Sequence, residues 1–164
     1  MLLLKASAAV LVLIVARTLV AEYKKYIEKK LCAIEGFLSL LSFIKNELAC
    51  RLRTSEEWAR EFSSDILTEC GFLPELVRTG STEAAFAAAR EGLPMLGEET
   101  VKLLSSYFSS FGKSYRDEEQ REACRVFDEL SRLLARERSD TQRSLRAVRV
   151  LTYAVASGVI ILFL

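Results

Sequence analysis

The side chains with most to offer chemically in this sequence are carboxylates, thiols and serine hydroxyls. The densest acidic run is Asp117-Glu118-Glu119, and Glu118 and Glu122 stand four residues apart. Two carboxylates can do general acid–base work when both are desolvated and opposed. At the start of a helix they more simply complement the positive end of the helix dipole. The four-residue spacing also suits carboxylate metal sites on helical bundles, but the Glu-x-x-His partner of a di-iron site is missing. The chain has no histidine at all. That removes Ser-His-Asp and Cys-His catalysis, His-ligated zinc and His-based pH switching in one step. Ser105-Ser106 and Ser109-Ser110 have no base beside them and read as polar helix faces. Cys32, Cys50, Cys70 and Cys124 form no C-x-x-C pair, so neither a zinc ribbon nor a thioredoxin-like motif is supported. All four sit in apolar-periodic stretches and read as reduced core cysteines, with a disulfide framework as the alternative. Phosphate loops of the G-x-x-x-x-G-K and G-x-G-x-x-G kinds are absent. The sequence therefore predicts a non-enzyme, with no catalytic residue, metal ligand, cofactor or small-molecule substrate.

The elements that hold these residues follow a helical period. From Tyr23 onward, Ile27, Leu31, Ile34, Leu38, Leu41, Ile44 and Leu48 recur in steps of three and four, marking one face of a long helix that should stop near Leu52. Thr54-Ser55-Glu56-Glu57 is a capping box for a second helix, expected to bury Trp58, Phe62, Ile66 and Leu67 and to end at Gly71. A short helix over 72–79 has Pro74 in its first turn and Gly80 after it. Ser81 caps an alanine-rich helix over 82–91, closed by Gly92-Leu93-Pro94, whose small residues let helices approach closely. Gly97-Glu98-Glu99 opens another, with Val101, Leu104, Tyr107, Phe108 and Phe111 on its apolar face and Gly112 at its end. The last helix starts near Asp117, carries Ala123, Cys124, Phe127, Leu130, Leu133 and Leu134 on one face, and meets no breaker before Gly158. No stretch alternates with the period of two that strands require.

The ends differ from the middle. The chain has 164 residues, 51% of them hydrophobic, and a net charge of +1. Its mean hydropathy, +0.18, is high for a water-soluble protein. All 22 acidic residues lie between Glu22 and Asp140, and residues 150–164 carry no charged side chain. A membrane-spanning helix needs about 20 apolar residues. Residues 2–21 meet that, with Lys5 and Arg17 near their ends where long side chains can snorkel. Residues 145–164 reach full length only if Arg146 and Arg149 snorkel too. A cleaved signal peptide is the alternative for the first segment, and a buried core helix for the second. The expected architecture is all-α: a membrane-anchored bundle of about five or six helices over 22–144, with first and last helices continuous with transmembrane segments at 2–21 and 145–164.

Lysine and arginine close to the membrane set orientation. Arg17, Lys24, Lys25, Lys29 and Lys30 follow the first apolar segment; Arg132, Arg136, Arg138, Arg143, Arg146 and Arg149 precede or enter the second. Only Lys5 lies beyond them. The middle is thereby expected in the cytoplasm and both termini on the far side of the cell membrane. Arg17, Lys24, Lys25, Lys29, Lys30, Arg143, Arg146 and Arg149 are the membrane-flanking residues, placed to meet anionic lipid headgroups. Residues 45–125 hold 11 basic and 15 acidic side chains, a net of −4, with aromatics on core faces rather than among the cations. That argues against nucleic acid and for a surface offered to a protein partner. Arg116, Asp117 and Glu118, charged and just before the last helix, are the candidate partner-binding residues.

The layout resembles the stage III sporulation protein AB family of endospore-forming Firmicutes. The resemblance is carried by Leu38–Ile44 running into Lys45-Asn46-Glu47-Leu48, and by Tyr107-Phe108-Ser109-Ser110-Phe111-Gly112-Lys113-Ser114-Tyr115-Arg116-Asp117-Glu118-Glu119-Gln120. A basic helix entering the Leu/Ile-rich tail, 151–164, completes it. The chain departs from the family pattern near Thr54-Ser55-Glu56, where it has no proline. It departs again at Ser114-Tyr115-Arg116, where one extra residue precedes Gln120. The resemblance implies a helical domain similar to type II secretion F-type platform domains. It further implies a non-enzymatic scaffold in the mother-cell membrane around the forespore. Its partners would be a secretion-type ATPase similar to stage III sporulation protein AA, the channel subunits of the same complex, and membrane lipid. A membrane-tethered helical signalling or sensor protein is the alternative.

Overall fold

The structure is a computed structural model that describes the backbone of residues 2–50, 57 and 60–163 and the side chains of 10–49, 57, 60–159 and 161. Among the described residues the fold is all-helical. Six helices follow one another: α1 (Leu2–Cys50), α2 (Asp65–Glu69), α3 (Phe72–Thr79), α4 (Thr82–Gly92), α5 (Glu98–Ser110) and α6 (Arg116–Phe163). α1 and α6 run for 49 and 48 residues. Neither contains a proline, so nothing removes an intrahelical donor along their length. The chain divides into two compact units, Lys30–Arg136 and Met1–Lys29 with Glu137–Leu164.

The Lys30–Arg136 unit has a closed core. Phe37 sits at its centre, edge-on to Phe72 with ring centroids 5.5 Å apart and to Phe86 at 5.8 Å. Phe108 completes the cluster at 5.2 Å from Phe72 and 5.5 Å from Phe86. Such offset and edge-to-face pairs add to area burial. α1 contributes Ala33, Ile34, Phe37, Leu40, Leu41 and Ile44, all fully buried. The expected stripe is thus rotated: Leu31, Leu38 and Leu48 lie half-buried on its edge, and Phe37, between Ile34 and Leu41, occupies its middle. α6 contributes Ala123, Val126, Leu130 and Leu134.

The connections follow their capping residues. Gly71 and Gly80 flank α3 in left-handed conformations, and the Gly80 N–H bonds the Leu76 carbonyl at 2.8 Å. Ser81 has extended backbone, and its hydroxyl accepts from the Ala84 N–H, as its N-cap position predicts. α4 ends against another segment: a Cβ on Gly92 would lie 2.9 Å from the Cys70 carbonyl oxygen. The expected single helix from the capping box to Gly71 does not form. Residues 62–64 are non-helical and Ser64 is extended, so α2 begins at Asp65. Two serines and an aspartate in succession favour backbone capping over helix continuation. The capping box at 54–56 and Trp58 lie outside the described residues.

The other unit contains two helical segments only, the first part of α1 and the last part of α6. Its buried side chains include Ala16, Ile27 and Ala156. The rest of its apolar surface is open. Val10, Leu11, Leu13, Ile14, Val15 and Leu19 on α1, with Val150, Leu151, Tyr153, Val155 and Ile161 on α6, are between 41% and 74% exposed. The expected spans at 2–21 and 145–164 are corrected in one respect: among the described residues no helix is long and apolar enough to cross a membrane. From Val10, the first side chain described, 12 residues precede Glu22, and Lys24 and Lys25 follow. On α6 the uncharged stretch starts only at Val150.

Candidate functional site

The segment joining α5 to α6 holds the three candidate partner-binding residues. It is built from a helix end, a glycine and a charged helix start. α5 stops at Ser110 because Gly112 adopts a left-handed conformation with φ +81°. The Gly112 N–H donates to the Glu119 carboxylate. That leaves the Phe108 carbonyl without its usual donor four residues on. The buried Thr82 hydroxyl supplies one at 2.8 Å. Lys113 Nζ donates to the Ser109 carbonyl at 2.5 Å, close to the negative end of α5. The Glu118 and Glu119 N–H groups both donate to the Tyr115 carbonyl at 3.0 Å, closing the first turn of α6.

Arg116, Asp117 and Glu118 are all exposed, but they do different work. Arg116 is turned back onto the end of α1: Nε donates to the Leu48 carbonyl at 2.5 Å and Nη2 to the Ala49 carbonyl at 2.9 Å. The last carbonyls of a helix have no intrahelical partners. A guanidinium presents several donors in a fixed fork, so one side chain serves two of them. Arg116 is therefore a structural clamp between α1 and α6. Asp117 lines a shallow surface depression with Gln120, Arg121 and Cys124. Glu118 stands in the first turn of α6 beside Asp117, and both complement the dipole there.

Nothing in this region assembles a reaction centre. Arg125 bridges Glu122, at 2.5 and 2.9 Å, and Glu129, at 2.7 Å. Its guanidinium holds the Glu122 carboxyl below the usual range through that hydrogen bond, against a smaller opposing effect of burial. Glu122 is thus already engaged, and Glu118 has no second carboxylate available for acid–base work or for a metal. Among the described residues, no group of three or more acidic or cysteine side chains could hold a metal ion. Of the cysteines, Cys70 is buried, Cys124 is half-buried and Cys32 is exposed, all with free thiols. The expectation of core cysteines therefore fails at Cys32, which falls outside the buried stripe of α1. The side chain of Cys50 lies outside the described residues.

One buried polar group escaped sequence reasoning. Tyr107 is 2% exposed, and its hydroxyl has no hydrogen-bond partner among the described residues. Burial pushes its ionisation well above the usual phenol range, and the charges of Glu119 and Glu122 push the same way. A tyrosine on an apolar helix face signals burial, but nothing in the sequence tells whether its hydroxyl finds an acceptor.

The membrane-flanking residues within the two-helix unit fall into two sets. Lys24 pairs with Glu28 at 3.3 Å and Lys25 with Glu22 at 2.9 Å. The Glu22 carboxylate holds the Lys25 ammonium above its ordinary value. Arg17, Lys29, Arg143, Arg146 and Arg149 are exposed with no ion-pair partner among the described residues. Lys30, half-buried, begins the other unit. Comparison with protein-family models, curated proteins and solved structures finds no match to this chain.

Proposed function

We propose that this protein is a non-enzymatic helical scaffold held at a membrane by its paired helix ends. The observation that carries the reading is a contrast within one chain. The Lys30–Arg136 unit closes its large apolar side chains into a core, while the two-helix unit leaves Val10 to Leu19 and Val150 to Ile161 open. Fully burying such a side chain is worth about 1.5–3 kcal/mol. An exposed apolar surface of that extent marks a membrane or protein contact. Residues 2–9 extend the apolar run on α1 in sequence, apart from Lys5 and Ser7. Arginines at 17, 146 and 149 have side chains long enough to reach headgroups from either edge.

The resemblance to the stage III sporulation protein AB family narrows the proposal. The scaffold would serve a sporulation secretion or channel complex, with the helical bundle in the cytoplasm docking a secretion-type ATPase to membrane channel subunits. Asp117 and Glu118 are the exposed charges suited to that contact, Arg116 being spent on α1. Two measurements test this. Full-length protein should resist carbonate extraction from membranes and need detergent to purify, and free solubility would overturn the membrane assignment. Full-length protein in nanodiscs should bind the purified ATPase, and D117K with E118K should weaken that binding at least tenfold. Unchanged binding would remove this surface from the contact, and no binding by the native chain would overturn the ATPase assignment.

A further inference from the structure

Of the cations that flank the apolar helix ends, those on α6 are the ones left available. Lys24 and Lys25 are engaged by carboxylates on their own helix. Arg143, Arg146 and Arg149 are exposed and have no ion pair among the described residues, and no acidic residue follows Asp140. Their spacing of three places them within an arc of about 120° on one side of α6. The exposed apolar residues Val150 and Leu151 follow directly. A guanidinium fork offers paired donors that match a phosphate bidentately. We infer that Arg143, Arg146 and Arg149 form a binding edge for the phosphates of anionic lipids. The partner is a negatively charged bilayer rather than a merely apolar one. The inference rests on the proposed membrane attachment and adds selectivity for headgroup charge.

The test separates the two. Full-length protein is reconstituted into vesicles of phosphatidylcholine alone, and flotation reports attachment itself. It is then reconstituted into phosphatidylcholine mixed with phosphatidylglycerol and extracted in polymer-bounded nanodiscs, and the lipid retained is quantified. The native chain should retain phosphatidylglycerol several-fold above its bulk share, and added salt should reduce that excess. Three basic groups at a charged surface together contribute about a hundredfold in partitioning. The R143Q/R146Q/R149Q variant should therefore fall to the bulk ratio while still floating with phosphatidylcholine. K102Q, in the other unit, should keep the native enrichment. Flotation with a bulk lipid ratio around the native chain overturns this inference alone. Failure to float overturns the attachment on which it rests. Enrichment that survives the triple substitution moves the headgroup site away from α6 and overturns the assignment.

Discussion

Arg116 shows how much one side chain can settle. Its two hydrogen bonds reach residues 68 and 67 positions earlier, at the end of α1. R116Q should lower unfolding free energy by about 1–2 kcal/mol, the usual range for exposed charged donors to backbone carbonyls. D117N should change it by no more than about 0.5–1 kcal/mol, because only a dipole interaction is lost. Urea titrations followed by helical circular dichroism would check both, and equal losses would sink the clamp. Tyr107 makes a second, opposite case. Its buried hydroxyl has no partner to lose, so Y107F should be neutral or more stable by up to about 1 kcal/mol. The sign of its pH dependence follows from the raised ionisation. Near pH 10 an unfolded tyrosine starts to lose its proton while the native one keeps it. The native state then binds more protons, so stability falls as pH rises above about 10. Y107F should flatten that alkaline loss relative to the native chain, and parallel curves would show that the hydroxyl is not buried as described.

At the scale of elements, close approach is the recurring constraint. Gly92 ends α4 where a methyl group would meet the Cys70 backbone at 2.9–3.3 Å. Backbone cannot step aside as a flexible side-chain end can. G92A should therefore cost about 1–3 kcal/mol, measured by thermal or urea unfolding, although alanine is the better helix former. A gain in stability would show that α4 and the Cys70 turn do not touch. T82V should cost a further about 1 kcal/mol by stranding the Phe108 carbonyl. Helix starts and stops were legible in the sequence wherever a local residue sets them: Pro74, Gly80, Ser81, Gly97 and Gly112 stand where α3, α4 and α5 begin or end. The rotation of the α1 face was not. The steps of leucine and isoleucine alone passed over Phe37, and only the neighbouring helices decide which part of a broad apolar stripe lies deepest. The break before α2 was missed because an apolar period across Phe62 and Ile66 outweighed the Ser63-Ser64-Asp65 signal. Of the candidate site, exposure and charge were readable, whereas the recruitment of Arg116 by α1 depends on a contact that no local pattern encodes.

For the whole molecule, the two units answer to different solvents. The Lys30–Arg136 unit buries Phe37, Phe72, Phe86, Phe108 and their aliphatic neighbours to 4% exposure or less. Its core closes with residues from α1 through α6 that all lie within those bounds. Its ties between distant segments, Thr82 to Phe108 and Arg116 to Leu48 and Ala49, are internal too. A chain cut to residues 30–136 should accordingly fold without detergent, as a helical monomer with one cooperative thermal transition. The argument is physical: each apolar group it needs to bury is already covered by its own residues, so removing the helix ends uncovers no core. The residues removed include Val10 to Leu19 and Val150 to Ile161, the large apolar side chains left open in the full chain. Size-exclusion chromatography and circular dichroism decide the outcome. Aggregation, or a broad non-cooperative melt, would mean that the helix ends complete the bundle's core. In that case the apolar surface read as membrane-facing would instead be the unmade half of an interior contact.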